Sequence, residues 1–237
     1  MAVKNKTKAE HKPGADIIEN PEALAEQLSR TEEFIEKNRF VVIGVAGAIL
    51  LVVAGIFGFR YYKGSQNIQA QNEMFQAVYY FESDSLELAL RGDGNNLGFV
   101  DIAEEYAITD AGNLANFYAG VAYLKQKKYK LAILYLEDFS SNDLLVQARA
   151  YSLVGDAHME LEDYASAIGY YEKAANHKPN KYFTPQYLMK AALAHEKLNA
   201  NGEAIEVYQT IIDQYWESAE FQKAKKYKAK LENSSAS

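Results

Sequence analysis

Residues 151–179 read YSLVGDAHMELEDYASAIGYYEKAANHKP, and the architecture of the chain is most easily deduced from this segment. Gly155 and Ala167 lie in two apolar stretches, and small side chains of this kind allow two helices to approach closely where they cross. Tyr171 supplies a large side chain for the space between helices. Pro179 ends the second stretch, because proline cannot continue a helix. The segment therefore predicts two helices joined by a short turn.

The same pattern occurs three times at a nearly constant spacing. Gly120 and Ala132 precede Gly155 and Ala167 by 35 residues. The third pair, Ala192 and Ala204, follows after 37 residues. A period near 34 residues is typical of tetratricopeptide repeats, whose stacked helix pairs bury one continuous core. The predicted repeats cover residues of about 113–146, 148–181 and 185–218, with turns at Lys127-Lys128-Tyr129, Glu162-Asp163-Tyr164 and Asn201-Gly202-Glu203.

Weaker signals extend this domain over residues 66–231. Residues 66–110 resemble a degenerate repeat, with helices predicted at Gln69–Phe81 and Phe99–Tyr106 and a glycine-rich connection between them. That connection contains Arg91-Gly92-Asp93, which resembles an adhesion tripeptide, and an Asp93/Asn95 pair that resembles part of a calcium loop. Both are interpreted as a turn, because glycine, asparagine and aspartate are ordinary turn residues. A lysine-rich helix at 218–231 is predicted to cap the array, since terminal repeats need a polar outer face. Residues 232–237 are predicted to fray.

Residues 40–59, FVVIGVAGAILLVVAGIFGF, contain no charged residue, no amide side chain and no proline. A helix rises ~1.5 Å per residue, so this stretch spans the ~30 Å hydrocarbon core of a bilayer. Basic and aromatic residues flank it on both sides, as is usual at membrane interfaces. A secretory signal peptide is disfavoured, because its apolar region is shorter and lies closer to the N-terminus. The pattern predicts one transmembrane helix.

The segment before this span carries seven basic residues, against two in the twenty residues after it. This excess predicts a cytoplasmic N-terminus and a C-terminal domain on the other side of the membrane. Residues 1–19 are polar and are predicted to be disordered, and residues 20–39 are predicted to form a cytoplasmic juxtamembrane helix. Small residues on one face of the span are candidates for packing against another helix. They are Gly44, Ala48 and Gly55.

Composition argues against several functions. The net charge is −7, whereas nucleic-acid binding requires a basic surface. The chain has no cysteine, which excludes disulfides, thiolate metal sites and cysteine nucleophiles. No phosphate-binding loop, zinc-protease motif or nucleophile elbow occurs. His158 and His195 occupy equivalent repeat positions and are interpreted as packing residues. The chain is therefore predicted not to be an enzyme, with no catalytic or metal site, no cofactor and no small-molecule substrate.

The first helices of the repeats are predicted to form a concave wall that holds an extended or helical peptide from a partner protein. The wall grades from apolar to acidic residues. An alternative is that the long helix at Gln69–Phe81 covers its apolar end, notably Phe117 and Val121. The predicted wall consists of Phe117, Tyr118, Val121, Leu124, Ser152, Asp156, Met159, Glu160, Met189, Leu193 and Glu196.

The fold class is thus all-α, a single N-terminal transmembrane helix followed by a tetratricopeptide-repeat α-solenoid of helix pairs. This order of parts, with GDGNNLGFVDIAEEYAITDAGNLANFYAG and YLKQKKYKLAILYLEDF, resembles the membrane-anchored ancillary subunits of the bacterial Sec translocon. The resemblance implies a periplasmic domain anchored in the inner membrane, with the translocon, periplasmic chaperones and possible client polypeptides as protein partners. Two alternatives remain open. One is a scaffold of another envelope-assembly complex, and the other is a cytoplasm-facing receptor for targeting peptides.

Overall fold

A computed structural model describes residues 21–235, and all regular structure within that range is α-helical. The segment predicted to be disordered, residues 1–19, lies outside the described residues, as do 236 and 237. The helices are α1 Pro21–Lys37, α2 Arg39–Glu82, α3 Leu86–Arg91, α4 Phe99–Glu105, α5 Asp110–Lys125, α6 Tyr129–Asp138, α7 Val146–Glu160, α8 Tyr164–Asn176, α9 Thr184–Lys197, α10 Asn201–Gln214 and α11 Phe221–Ser235.

The chain divides into two compact units, Met1–Tyr61 and Tyr62–Ser237. The described part of the first unit contains α1 and the first half of α2. A turn at Asn38 separates the two helices, and its side-chain amide donates a hydrogen bond of 3.0 Å to the Phe34 carbonyl. The apolar part of α2 has a mean hydropathy of 2.9 and no buried residue, so this helix is long and apolar enough to cross a membrane.

The second unit begins with the remainder of α2, followed by α3 and α4. The helix predicted at Gln69–Phe81 is the last part of α2 and does not begin separately, because the chain remains helical through Gly64 and Ser65. The predicted connection also contains a short helix, α3, that the sequence did not indicate. Ala89 and Leu90 of α3 are fully buried, so packing rather than local propensity holds this helix in place.

The loop after α3 is organised by Asp93. Its carboxylate accepts hydrogen bonds from the Tyr80 hydroxyl at 2.7 Å and from the backbone amides of Asn95 and Asn96 at 2.8 and 2.7 Å. Gly92 is required here because its φ is +75° and a Cβ would lie 2.0 Å from the Asn96 carbonyl oxygen. The loop therefore has the turn chemistry expected from its sequence, with the Asp93 carboxylate occupied by donors of the chain itself.

Three helix pairs follow, α5/α6, α7/α8 and α9/α10, and each pair turns through one residue in the left-handed conformation. These residues are Lys127, Glu162 and Asn199, with φ values of 60°, 60° and 58°. They recur with the repeat spacing, so the three turns are built alike. The third turn lies earlier than predicted, because Asn201, Gly202 and Glu203 form the first turn of α10.

Small residues lie at the helix crossings, as the repeat pattern predicts. Ala132, Ala167 and Ala204 are fully buried. A Cβ on Gly155 would lie 2.6 Å from the ring of Tyr171, and one on Gly120 would lie 2.5 Å from the side chain of Leu136. Since ordinary carbon contacts are ~3.5–4.0 Å, only glycine allows these pairs to pack as closely as they do. The equivalent large residues Leu136, Tyr171 and Tyr208 fill the core at 2%, 2% and 0% exposure.

The terminal helix α11 begins at Phe221, three residues later than predicted, and continues to Ser235, beyond the predicted end at residue 231. Ala224 and Leu231 are buried against the last pair, and Tyr227 lies 5.9 Å from the ring of Tyr208. Four of the five lysines of this helix are exposed. The helix thus covers the end of the apolar core and presents a charged outer face.

Candidate partner-binding surface

The predicted wall lies on α5, α7 and α9, but not all of it is accessible. Ser152 is fully buried, and Met189 is 8% exposed. Both face the neighbouring helices, and Ser152 Oγ accepts a hydrogen bond of 3.0 Å from Lys190. The prediction that these two residues lie on the open surface came from the repeat spacing alone. The structure corrects that assignment, because Lys190 contacts Ser152 and Met189 packs in one core cluster with Ala204 and Tyr208.

The apolar end of the predicted wall is part of an aromatic cluster. Tyr118 stacks on Phe99 at 5.0 Å and meets Phe81 edge-on at 5.5 Å between ring centroids. Phe117 lies 5.2 Å from Phe139 on the other side. Val121 packs in the same cluster as Phe117. Because Phe81 belongs to α2, the end of this long helix contacts Tyr118, whereas Phe117 and Val121 pack beside Leu136 and Phe139. Phe117, Tyr118 and Val121 are therefore partly buried against the apolar clusters of the domain.

Four of the predicted residues line an open surface. Leu124, Asp156, Met159 and Glu160 border a depression with a volume of about 550 Å³. The sequence interpretation missed the other four, which come from the end of α5, from the turn after it and from the second helices. We name this surface the central depression, and it is lined by Leu124, Lys125, Lys127, Tyr129, Asp156, Met159, Glu160 and Tyr171.

The floor of the central depression is a hydrogen-bonded network around Asp156. Lys190 Nζ donates to Asp156 Oδ1 and Oδ2 at 2.7 and 2.8 Å, and the Tyr171 hydroxyl donates to Oδ1 at 2.8 Å. Burial, together with the Asp156 carboxylate, raises the pKa of Tyr171 well above its ordinary value. The phenol therefore remains a neutral donor at physiological pH. Lys190 balances the charge of the Asp156 carboxylate within this network. Asp156 therefore stabilises the floor of the depression.

The rim of the depression carries charges of both signs. The Tyr129 hydroxyl donates to Glu160 Oε2 at 2.9 Å, and this hydrogen bond raises the pKa of Tyr129. Glu160 remains exposed, with its other oxygen open to solvent or to a ligand. Lys125 forms an ion pair with Asp84 at 2.6 Å. Lys127 is exposed and forms no ion pair among residues 21–235. The rim thus offers one acidic and one basic group beside Leu124 and Met159.

The last two predicted wall residues lie farther along the array. Leu193 is 39% exposed, whereas Glu196 accepts a hydrogen bond of 2.5 Å from the buried Tyr208 hydroxyl. Burial and this hydrogen bond raise the pKa of Tyr208. Tyr208 and Tyr171 are equivalent repeat residues. In each of these two repeats, a tyrosine of the second helix therefore donates a hydrogen bond to a carboxylate of the first helix. Glu196 is therefore engaged in the fold.

Two of the three histidines in the described part of the chain have structural side-chain contacts. His158 stacks on Tyr170 at 5.5 Å, and its Nδ1 lies 3.1 Å from Asp163 Oδ2. His177 Nε2 lies 3.0 Å from the Asp143 carbonyl oxygen. Within residues 21–235, no group of three or more histidine, aspartate or glutamate side chains has the arrangement of a metal site. His11 lies outside this range.

The small residues of the apolar helix segment remain candidates for helix packing. Gly44, Ala48 and Gly55 are exposed, and no side chain of the first unit lies within 4 Å of a Cβ placed on either glycine. Their size is therefore not required by packing within residues 21–235.

Comparison with known proteins agrees with the helix-pair architecture. A family profile described as "Tetratricopeptide repeat" matches residues 119–182 and 155–219. A protein of Guillardia theta, "Uncharacterized protein ycf37", is 29% identical over 121 residues, which are 49% of this chain and 66% of that protein. The chain thus spans just under two thirds of the length of this relative. Tetratricopeptide repeats indicate a non-catalytic scaffold that binds protein partners. We conclude that the helix pairs within residues 119–219 are similar to tetratricopeptide repeats and belong to an all-α helical solenoid.

Proposed function

We propose that this chain is a membrane-anchored adaptor without catalytic activity, which holds a segment of a partner protein in the central depression. One observation carries the proposal. Leu124 and Met159, on the first helices of adjacent repeats, border an open surface beside Glu160 and Lys127, while Phe117, Tyr118, Val121 and Met189 pack against the apolar clusters of the domain. First helices of stacked repeats form the concave surface on which such proteins bind extended segments.

The lining defines the chemistry of the bound segment. Met159 is flexible and polarisable, so it adapts to an apolar side chain placed between it and Leu124. Glu160 is suited to a basic or hydrogen-bond-donating side chain, and Lys127 to an acidic one. The preferred partner therefore presents one apolar residue flanked by polar residues of opposite charge. Because both rim charges are solvent-exposed, they contribute more to selectivity than to affinity.

The proposal places the apolar part of α2 across a bilayer. The support is its uncharged stretch of 20 residues, its mean hydropathy of 2.9 and the absence of any buried residue in it. The excess of basic residues before the span favours an N-terminus in the cytoplasm. The resemblance described above adds the inner membrane of a Gram-negative bacterium, with a periplasmic repeat domain that associates with the Sec translocon and periplasmic chaperones to assist exported proteins.

The adaptor role is tested by placing charges in the depression. The full-length double variant Leu124→Lys/Met159→Lys is expected to recover at least fivefold less translocon and chaperone than the wild type after purification from detergent-solubilised membranes. Both side chains are partly exposed, so the helical content is expected to stay unchanged. Leu134→Lys is the control, since Leu134 is 52% exposed on the second helix of the same repeat. Equal recovery by the double variant and the wild type would rule out the depression as the binding site.

A further inference from the structure

The part of α2 in the second unit has two opposite faces with different environments. One face packs on the repeat domain through Ala70, Met74 and Ala77, which are 0%, 6% and 0% exposed. The other face points away from the domain. Ile68, Phe75 and Tyr79 on this face are 64%, 76% and 60% exposed. Large apolar side chains concentrated on one exposed face indicate an interaction site, whereas isolated ones do not.

The exposed residues recur at alternating intervals of three and four along the helix. We call this row the α2 seam, and it consists of Ser65, Ile68, Asn72, Phe75, Tyr79 and Glu82. An average interval of 3.5 residues is the period at which two helices stay in contact while winding around each other. Beside the seam, Phe75 and Tyr79 border a surface groove of about 400 Å³, which could accept side chains from a second helix. The seam therefore has the form of one half of a helix pair.

We infer that the α2 seam pairs in parallel with the α2 seam of a second copy of this chain. In such a pair every residue faces its own counterpart, so a charge in the seam would repel itself. The seam contains no charge from Ser65 to Tyr79. The charges of this stretch lie elsewhere, since Lys63 pairs with Asp110 at 3.0 Å and Glu73 is half-buried. The seam from Ser65 to Tyr79 is therefore compatible with itself, and only Glu82 at the end of the helix would meet a like charge.

Asn72 gives a second argument for self-pairing. It lies in the middle of the seam, is exposed, and has no hydrogen bond within the described residues. A single asparagine in an apolar helix seam pairs with the same residue of the other helix and thereby fixes the register, because other registers leave its amide unpaired. In a parallel pair of identical chains, Asn72 meets Asn72 only when the two copies are aligned without a shift.

The same interval continues upstream in the sequence. Gly47, Ala54 and Tyr61 precede Ile68 in steps of seven, and Leu51 and Gly58 precede Ser65 in the same way. Small residues at this interval allow close helix contact in a bilayer. The three large seam residues of two copies would together bury roughly 600–800 Å² of surface. A small stable interface buries ~1,200 Å², which is more. The dimer therefore needs the apolar segment, and its parallel orientation rests on the proposed membrane anchor.

The inference is tested by disulfide cross-linking of the full-length chain in membranes, because the natural sequence has no cysteine. Asn72→Cys lies in the seam and Gln69→Cys replaces a similar exposed amide outside the seam, about 60° from Asn72 around the helix. Under mild oxidation, Asn72→Cys is expected to give at least tenfold more product at twice the chain mass than Gln69→Cys. Adding Phe75→Glu to Asn72→Cys is expected to reduce that product at least fivefold, whereas adding Gln69→Glu leaves it unchanged.

Three results would overturn the inference. They are equal cross-linking at residues 69 and 72, a seam product whose mass is not twice that of the chain, and a seam product that persists with Phe75→Glu. The partner-recovery experiment with Leu124 and Met159 variants is independent of this one, so failure of the adaptor role and failure of the dimer give different results.

Discussion

At the scale of single residues, Tyr118 is the clearest case of a side chain whose role depends on its neighbours. It lies between Phe81 and Phe99 and joins the end of α2 to the first complete repeat. Tyr118→Ala is expected to lower the free energy of unfolding by ~2–4 kcal/mol, because it leaves a cavity among three aromatic rings. Urea denaturation followed by circular dichroism measures this value. Tyr182→Ala, at a residue 68% exposed, is the control and should change it by under ~0.5 kcal/mol.

A loss of stability near zero for Tyr118→Ala would mean that α2 does not cover the first repeat. It would also restore the original prediction that Phe117 and Tyr118 form an open binding wall.

Asp93 provides a pH-dependent test at the same scale. The Tyr80 hydroxyl and the backbone amides of Asn95 and Asn96 favour its ionised form and lower its pKa well below the ordinary value of 3.8. Because the pKa is lower in the folded state, the stabilisation is present above about pH 4 and is lost as the pH falls below that value. Asp93→Asn is therefore expected to melt below the wild type at pH 7, with a smaller difference at pH 3. A difference of equal size at both pH values would contradict this assignment.

At the scale of elements, the packing of each helix pair can be tested through its glycines. A Cβ on Gly155 would meet the Tyr171 ring at 2.6 Å, whereas a Cβ on Gly169 has nothing within 4 Å. Gly155→Ala is expected to destabilise the domain by ~1–3 kcal/mol through overpacking, and Gly169→Ala to stabilise it by ~0.5–1 kcal/mol through helix propensity. Thermal denaturation of both variants checks the signs. Stabilisation by both substitutions would mean that α7 and α8 do not cross closely at Gly155.

The helix pairs were predictable because their information is local and repeated. A small residue at each crossing and a turn between the helices recur every 35 to 37 residues, and the left-handed turn residues Lys127, Glu162 and Asn199 follow the same spacing. The short helix α3 was not predictable. It has only six residues, too few for a recognisable period, and it exists because Ala89 and Leu90 are buried by distant parts of the chain.

The candidate site was predictable only in part, for a related reason. The repeat spacing predicted Leu124, Asp156, Met159 and Glu160 on one surface, and all four border the central depression, because equivalent positions of stacked helices point the same way. The repeat spacing cannot indicate which end of the predicted wall is covered by other helices of the domain. That depends on α2, whose last residues lie outside the regular repeats and contribute Phe81 to the aromatic cluster. Residues Lys127 and Tyr129 entered the site through the turn, which a helix-based pattern does not include.

At the scale of the whole molecule, the proposed anchor and the proposed dimer have a common consequence. Two copies joined through α2 would present two central depressions in the same assembly. A partner with two binding segments, or a partner that is itself dimeric, would then bind more tightly than a single depression allows. The arrangement therefore favours multivalent partners at a membrane surface over single soluble peptides.

The most direct test of the account is the topology of the chain in intact spheroplasts. Tags are placed at both termini of the full-length protein, and external protease is added before and after the membrane is permeabilised. The account predicts that the C-terminal tag is digested at once and that the N-terminal tag is digested only after permeabilisation, since the repeats lie outside the cytoplasm. A C-terminal tag that remains protected until permeabilisation would contradict the account and would favour a cytoplasm-facing receptor.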